Sequence, residues 1–358
     1  MRRRPLAYFA CCAFFVPPAS RSFAVGRSAF GRKASAAPAS AAGDGRQRSL
    51  SSRYKERLRP RVQDDAWKKS FIDTHCHLDK ILPLLSKQSH TDAKKAAARG
   101  ETPPRRLNAD FEEWRESLDG PEREFEGCVN IGCSSDSLDI CASFLKHEKV
   151  FGAFGIHPLR AQQWNEEVEE KIRSMMSLDK VVAWGECGLD YFDKQTRGQM
   201  KDMDARNLQR EVFARQIELA VACDKPLVVH TRFAEEDTLE LLGKHLPEYH
   251  PVHVHCFTSS LNLATALLER FPSLRIGFTG VITFKNAPEV QEVVRNVPLD
   301  RILLETDGPY MAPEPFRGRI AHPGHVAYVA DAIARLKGVP REEVLQTCRE
   351  NTRRTYGI

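Results

Sequence analysis

The chain has 358 residues, 42% of them hydrophobic and 28% charged, enough for a short leader and one large domain or two ordinary ones. One N-terminal apolar run is too short to span a bilayer as a mature helix, no other stretch is apolar for long enough to cross one, and a domain of this size needs no disulfide framework. The formal charge of +5 is unevenly distributed. Residues 1–61 hold fourteen of the 53 basic side chains but only Asp44 and Glu56 of the 48 acidic ones, which leaves 39 basic against 46 acidic over residues 62–358. The folded part is therefore acidic, which excludes a generally basic nucleic-acid-coating surface. Any attraction for a polyanion must come from a local site.

Residues 1–65 are expected to be a targeting leader. Met1-Arg2-Arg3-Arg4 precedes an apolar run from Leu6 to Val16, and an Ala-, Ser- and Arg-rich stretch without an acidic residue before Asp44 follows. The first part has the charge and length of a signal-peptide core, and the second has transit-peptide composition. Together they resemble two-part plastid-targeting sequences, with Phe23 or Phe30 near the cleavage point. A mitochondrial presequence and a retained basic tail are the alternatives.

The stretch Phe71-Ile72-Asp73-Thr74-His75-Cys76-His77-Leu78-Asp79 reads as an apolar strand ending in His-x-His. Side chains two apart on a strand share a face, so His75 and His77 can reach one cation. Residues 80–126 then form a connection longer than a strand-helix-strand crossover by roughly a couple of dozen residues. Its polar, Lys-rich middle, broken by Gly100, Pro103 and Pro104, is expected to be a solvated insertion on the rim of the fold.

Further short runs rich in β-branched and aromatic residues follow at 127–132, 150–156, 181–187, 227–231, 252–257, 274–279 and 302–306. Several are continuously apolar, as expected of strands covered on both faces. Helical spacing appears between them, as at 207–223, where Val212, Phe213, Ile217, Leu219 and Ala220 fall on one side. With the first run this makes eight strands, and the pattern predicts a (β/α)₈ TIM barrel over residues 66–358, with an open doubly wound sheet as the alternative.

In a parallel barrel every strand finishes at the same rim. The first strand would bring His75 and His77, the fourth Glu186 within Gly185-Glu186-Cys187-Gly188-Leu189-Asp190-Tyr191, the fifth His230 within His230-Thr231-Arg232, the sixth His255, and the eighth Asp307 within Glu305-Thr306-Asp307-Gly308-Pro309-Tyr310. Four histidines and two carboxylates exceed what one four-coordinate ion needs with a site left open for water. Two divalent cations would use them all, with Glu186 as the bridge, and would clamp the attacking and leaving oxygens of an in-line displacement. Asp307 can then be both ligand and the base that takes the proton from the attacking water.

The series 73–79, Gly-Ile-His-Pro at 155–158, Gly-Glu-Cys-Gly-Leu-Asp-Tyr at 185–191, His-Thr-Arg at 230–232, His-Cys-Phe-Thr-Ser-Ser at 255–260, Glu-Thr-Asp-Gly-Pro-Tyr at 305–310 and Asn-Thr-Arg-Arg at 351–354 resembles the TatD-type metal-dependent deoxyribonucleases of the amidohydrolase superfamily, in order and from about residue 70 onward. The resemblance implies a barrel, two divalent cations (Mg²⁺, Mn²⁺ or Zn²⁺) and hydrolysis of phosphodiester bonds of DNA, with RNA as an alternative, from a strand end. It also implies His75, His77, Glu186 and Asp307 around one ion and Glu186, His230 and His255 around the other.

Two departures stand out. Leu159 follows Pro158 where common bacterial members carry a second His, and Arg317-Gly318-Arg319-Ile320-Ala321-His322-Pro323-Gly324 replaces their Arg-Gly-Lys-Arg-Asn-Glu-Pro. The Ala-His-Pro-Gly form and the long first connection look like the larger eukaryotic branch, that of TatD domain-containing protein 2. Other superfamily members act on amides, lactones or esters and often bridge their metals with a carbamylated lysine where this chain has Glu186. An amidohydrolase or esterase, or a binding scaffold without catalysis, is thus the competing reading.

His157 and Arg232 are the candidate substrate contacts, Arg232 because a planar fork suits a phosphate. Lys285, Arg317 and Arg319 are expected on the solvated surface, and Tyr191, Phe192, Phe257 and Tyr310 mostly in the core. His245, His250, His253 and His322 have no partner in this scheme and default to surface roles. The ten cysteines show no Cys-x-x-Cys and read as reduced, buried small hydrophobes, with Cys76 and Cys256 turned away from the metals by strand alternation. No membrane and no obligate protein partner is inferred.

Overall fold

The computed structural model describes residues 69–358. The leader assigned to residues 1–65 lies outside them. Eight strands form one sheet in chain order, every neighbouring pair parallel. They are β1 (Phe71–Cys76), β2 (Phe125–Gly132), β3 (Val150–Phe154), β4 (Val181–Asp190), β5 (Leu227–Arg232), β6 (Val252–Val254), β7 (Leu274–Phe278) and β8 (Ile302–Leu304). The helices are α1 (Leu78–Ala98), α2 (Phe111–Glu116), α3 (Leu138–Ser143), α4 (Glu166–Met175), α5 (Met203–Ala222), α6 (Glu235–His245), α7 (Leu261–Arg270), α8 (Pro288–Asn296), α9 (Val326–Lys337) and α10 (Arg341–Tyr356). This is the expected (β/α)₈ barrel, nearly closed. All ten residues of β4 are buried, because side chains on one face fill the barrel while those on the other pack under helices.

The closing seam lies between β8 and β1. In place of a ladder, a parallel bridge joins Cys76 and Gly308, Asp307 N donates to His75 O at 2.9 Å, and His77 N donates to Gly308 O at 3.0 Å. Asp73 stitches the same seam. Its Oδ1 accepts from the backbone N–H of His75 at 3.1 Å and of Thr306 at 3.0 Å, and its Oδ2 accepts from the Thr306 hydroxyl. Burial pushes the Asp73 carboxyl well above the usual range, with the Thr306 and His75 hydrogen bonds working the other way.

The polar middle of the first connection is largely exposed, as expected, but it is more ordered than the sequence suggests. It continues α1 as far as Ala98, with Ala93 and Ala96 buried one turn apart. Phe111 and Trp114 of α2 are also buried, against the Phe125 ring at the start of β2. A helical spacing of small apolar residues was hidden among lysines, and two aromatics anchor α2 on the fold while residues 97–106 stay exposed.

Four of the eight strands, β3, β6, β7 and β8, end earlier than expected, and two of these carry candidate ligands. His255 and Asp307 lie beyond the ends of β6 and β8, where Cys256 and Asp307 take left-handed φ values of 44° and 50° that cannot continue a strand. A two-residue antiparallel pair, Phe192–Asp193 with Gly198–Gln199, follows β4.

Gly188 shows how tightly β4 is held to β5. Its φ is 144°, and a Cβ there would lie 1.9 Å from the carbonyl oxygen of His230. The Gly188→Ala variant is therefore expected to lose about 3 kcal/mol or more of stability, read from denaturant unfolding. An unchanged midpoint would mean that the two strands are not so close.

Candidate active site

Six side chains converge at the carboxyl-terminal rim. The Nε2 of His75 lies 3.7 Å from Glu186 Oε2 and 3.7 Å from Asp307 Oδ1, while the Nε2 of His77 lies 4.0 Å and 3.5 Å from the same two atoms. On the other side, Glu186 Oε1 is 2.8 Å from His255 Nε2 and 3.0 Å from His230 Nδ1. The two oxygens of Glu186 thus face different ligand sets, and His75–His77–Glu186 and Glu186–His230–His255 each lie close enough to hold one ion.

Local structure aims these groups. The Nδ1 of His77 sits 3.2 Å from Ile131 O, and donation there leaves the Nε2 lone pair directed at the cluster. His75 stacks on His255 with ring centroids 3.9 Å apart. Asp307 is reached by the turn after β8, tied by its N–H to His75 O. Helix α5 steadies two strand ends with amides that its apolar stripe does not reveal. Gln209 Oε1 accepts from Asp190 N at 2.8 Å, and Gln216 Oε1 accepts from Ile156 N at 2.9 Å.

Burial pushes the His75 imidazole down to about 3, assisted by His255 and opposed by Glu186 and Asp307, so it offers a neutral lone pair at physiological pH. Burial also works against the charge of Glu186. The charges of His255 and His157 and the hydrogen bonds from His230 and His255 prevail, and they hold its carboxyl well below the usual range. Asp307 is likewise lowered against its burial, by His77, His75 and His255. His230 is disfavoured as a cation by burial, yet Asp190 and Glu186 lift it to about 10.

The donor set fits divalent cations. His75 Nδ1 and Nε2, His230 Nε2 and His255 Nδ1 are buried with no hydrogen-bond partner, although buried imidazoles normally satisfy their ring nitrogens. Neutral His75 flanked by ionised Glu186 and Asp307 is what a cation requires, and a bound cation would displace the proton that Asp190 and Glu186 favour on His230.

The two substrate candidates also reach this rim. His157 Nδ1 accepts from Leu159 N at 3.0 Å, which places its proton on Nε2, 3.5 Å from Glu186 Oε1. The Arg232 guanidinium lies 3.8 Å over the Phe192 ring.

Sequence reasoning missed Asp190 and Lys80. Asp190 Oδ2 is 3.5 Å from His230 Nε2, and the signal was its position four residues after Glu186, on the same strand face. Lys80 stands one helical turn after His77. Burial opposes its charge, but Cys133, Tyr310, Asp79 and Glu186 raise its pKa.

The default surface role for four histidines needs correcting. His253 is fully buried beneath the cluster, its Nδ1 2.6 Å from the Tyr356 hydroxyl and its Nε2 2.9 Å from Glu305 Oε2. His250 is buried on Lys225 O, His245 is half-buried against Glu218, and His322 packs against Trp114 and His325. Lys285, Arg317 and Arg319 are exposed, as expected, and Tyr191, Phe192 and Phe257 are buried. Cys76 turns its thiol to Val129 O, while Cys256 is only half-buried, against Met311.

Residues 72–357 match the family model described as TatD related DNase. The chain belongs to this TatD family. A human relative, 3'-5' RNA nuclease TATDN2, is 37% identical over 314 residues, which are 86% of this chain and 37% of the human protein. The chain therefore spans little more than a third of that relative's length. An uncharacterized metal-dependent hydrolase of Bacillus subtilis, YabD, is 32% identical over 288 residues, 80% of this chain and 99% of that one. Among solved structures, the TatD homolog YJJV of Escherichia coli aligns with a TM-score of 0.63 at 25% identity, over 82% of this chain and 99% of that one. This TatD-family chain is a metal-dependent hydrolase, and its rim cluster contains groups that could hold a metal ion.

Proposed function

We propose that the chain is a two-cation nuclease that hydrolyses phosphodiester bonds of DNA or RNA from a strand end. The observation that carries this reading is Glu186, whose oxygens face His75 and His77 on one side and His230 and His255 on the other. We assign His75, His77, Glu186 and Asp307 to one cation and Glu186, His230 and His255 to the second. The human relative's description as an RNA nuclease supports a nucleic-acid substrate and makes RNA as strong a candidate as DNA.

When bound, the cations would supply Lewis acidity to a phosphoryl oxygen and a lowered pKa to water. Asp307, ionised and 9% exposed, takes a proton from water entering at the mouth. His157 donates its Nε2–H to a phosphate oxygen, and Lys80 adds positive charge beside Glu186. Arg232 holds a neighbouring phosphate, braced by Phe192. These local cations offset the acidic surface and limit attraction to the rim.

The test is digestion of end-labelled single- and double-stranded DNA and RNA, with and without chelator, beside a panel of cyclic amides, lactones and esters. Chelator-sensitive release of mononucleotides supports the proposal. Turnover of the amide, lactone or ester panel alone would overturn it. Arg232→Lys is expected to raise KM several-fold with little change in kcat, because an ammonium cannot make the forked contact. An unchanged KM would remove Arg232 from the substrate path.

A further inference from the structure

A second cluster shares no residue with the rim site. Glu122 lies in the short helix Gly120–Glu124 just before β2, and His322 and His325 bracket the turn Pro323–His325 that opens α9. One carboxylate oxygen and two imidazole nitrogens lie within 4.8 Å of one another. His325 Nε2 is 4.0 Å from Glu122 Oε1.

The pocket around them is built. Phe316 stacks on His325 with centroids 4.6 Å apart, and the Trp114 ring meets His322 edge-on at 5.8 Å. Gly324 has no side chain to keep Glu122 away, since a Cβ there would come within 3.1 Å of Glu122 Oε2. The Nδ1 atoms of His322 and His325 are buried with no hydrogen-bond partner.

An ordinary His⁺–carboxylate pair does not account for this arrangement. Burial lowers His322 to about 4 and His325 to about 2, the latter also by His322, so both rings are neutral at physiological pH. Burial and Asp119 raise Glu122 to about 7. The geometry favours a divalent cation: the three ligand atoms lie within 4.8 Å of one another, yet Glu122 and His325 stand 4.0 Å apart, too far for a hydrogen bond. Two nitrogens and one oxygen, with water in the fourth position, suit zinc.

We propose that Glu122, His322 and His325 bind a zinc ion that staples the segment inserted before β2 to the turn before α9. Bonds of about 2.0–2.2 Å place tetrahedral ligand atoms roughly 3.5 Å apart, so Glu122 and His325 need close by only about half an ångström. Because the ion binds the folded chain and not the unfolded one, zinc raises stability by linkage.

Crystals of the whole protein, loaded with stoichiometric zinc and dialysed, should show an anomalous peak at the zinc edge between these three side chains, apart from any peak at Glu186. No peak there overturns the proposal. In solution, Glu122→Gln and His325→Gln, each with an unchanged circular dichroism spectrum, should retain one zinc equivalent fewer than wild type. They should also lose a zinc-dependent rise of several degrees in the unfolding midpoint. Equal zinc content and an equal rise in either folded variant would overturn the proposal, and if neither variant folds, the diffraction result decides.

Discussion

Asp307→Asn is expected to lower kcat on a labelled oligonucleotide by roughly 10²–10⁴-fold, the usual worth of a positioned base, while leaving the barrel folded. The carboxylate is the rim group best placed for this role. It is ionised, slightly open to the mouth, and its Oδ1 lies 3.5 Å from His77 Nε2 and 3.7 Å from His75 Nε2. Asparagine keeps the shape and tolerates the left-handed φ of 50° at this position, so the backbone bond to His75 survives. What disappears is the negative charge and the ability to take a proton. Single-turnover rates and metal content, measured on the same preparation, separate the two roles. A variant with wild-type turnover would remove Asp307 from the chemistry.

Glu186→Gln should be more damaging still, with a loss on the order of 10³-fold or more, because in the proposed two-cation arrangement both cations would lose an anionic ligand at once, and each would supply several kcal/mol of transition-state stabilisation. The amide would turn an N–H₂ donor toward either the His75–His77 side or the His230–His255 side, and neither set of lone pairs plus cation accepts a donor. The variant should carry less metal after dialysis than wild type. Chelator should bring wild type to the same residual rate and leave the variant unchanged. A variant that keeps its full metal complement and its rate would show that Glu186 does not bridge.

Much of this site was legible in the chain. The His-x-His at the end of β1 and the Gly-Glu-Cys-Gly run in β4 announce themselves because strand alternation and backbone crowding act locally. Eight apolar runs separated by helical spacing specify the barrel for the same reason. What stayed hidden depends on partners far away in sequence. Asp73 reads as one polar residue in a motif until Thr306 stands beside it, and His253 reads as a surface group until Tyr356 and Glu305 enclose it. Gln209 and Gln216 interrupt no pattern, since a helix face is judged apolar by its majority, yet they grip the ends of β4 and β3. The lysines of α1 mask a buried face that only its alanines mark.

The seam between β1 and β8 carries a consequence for how the protein comes into being. His75 and His77 emerge from the ribosome early, whereas Asp307 and its bond to His75 are more than 200 residues away along the chain, so the pairing is strongly non-local and forms late. A nascent polypeptide still lacking β8 already carries all four rim histidines, His75, His77, His230 and His255, but has no closed rim. Under the proposed function, the chain gains the power to cut nucleic acid only once its synthesis has passed the last strand.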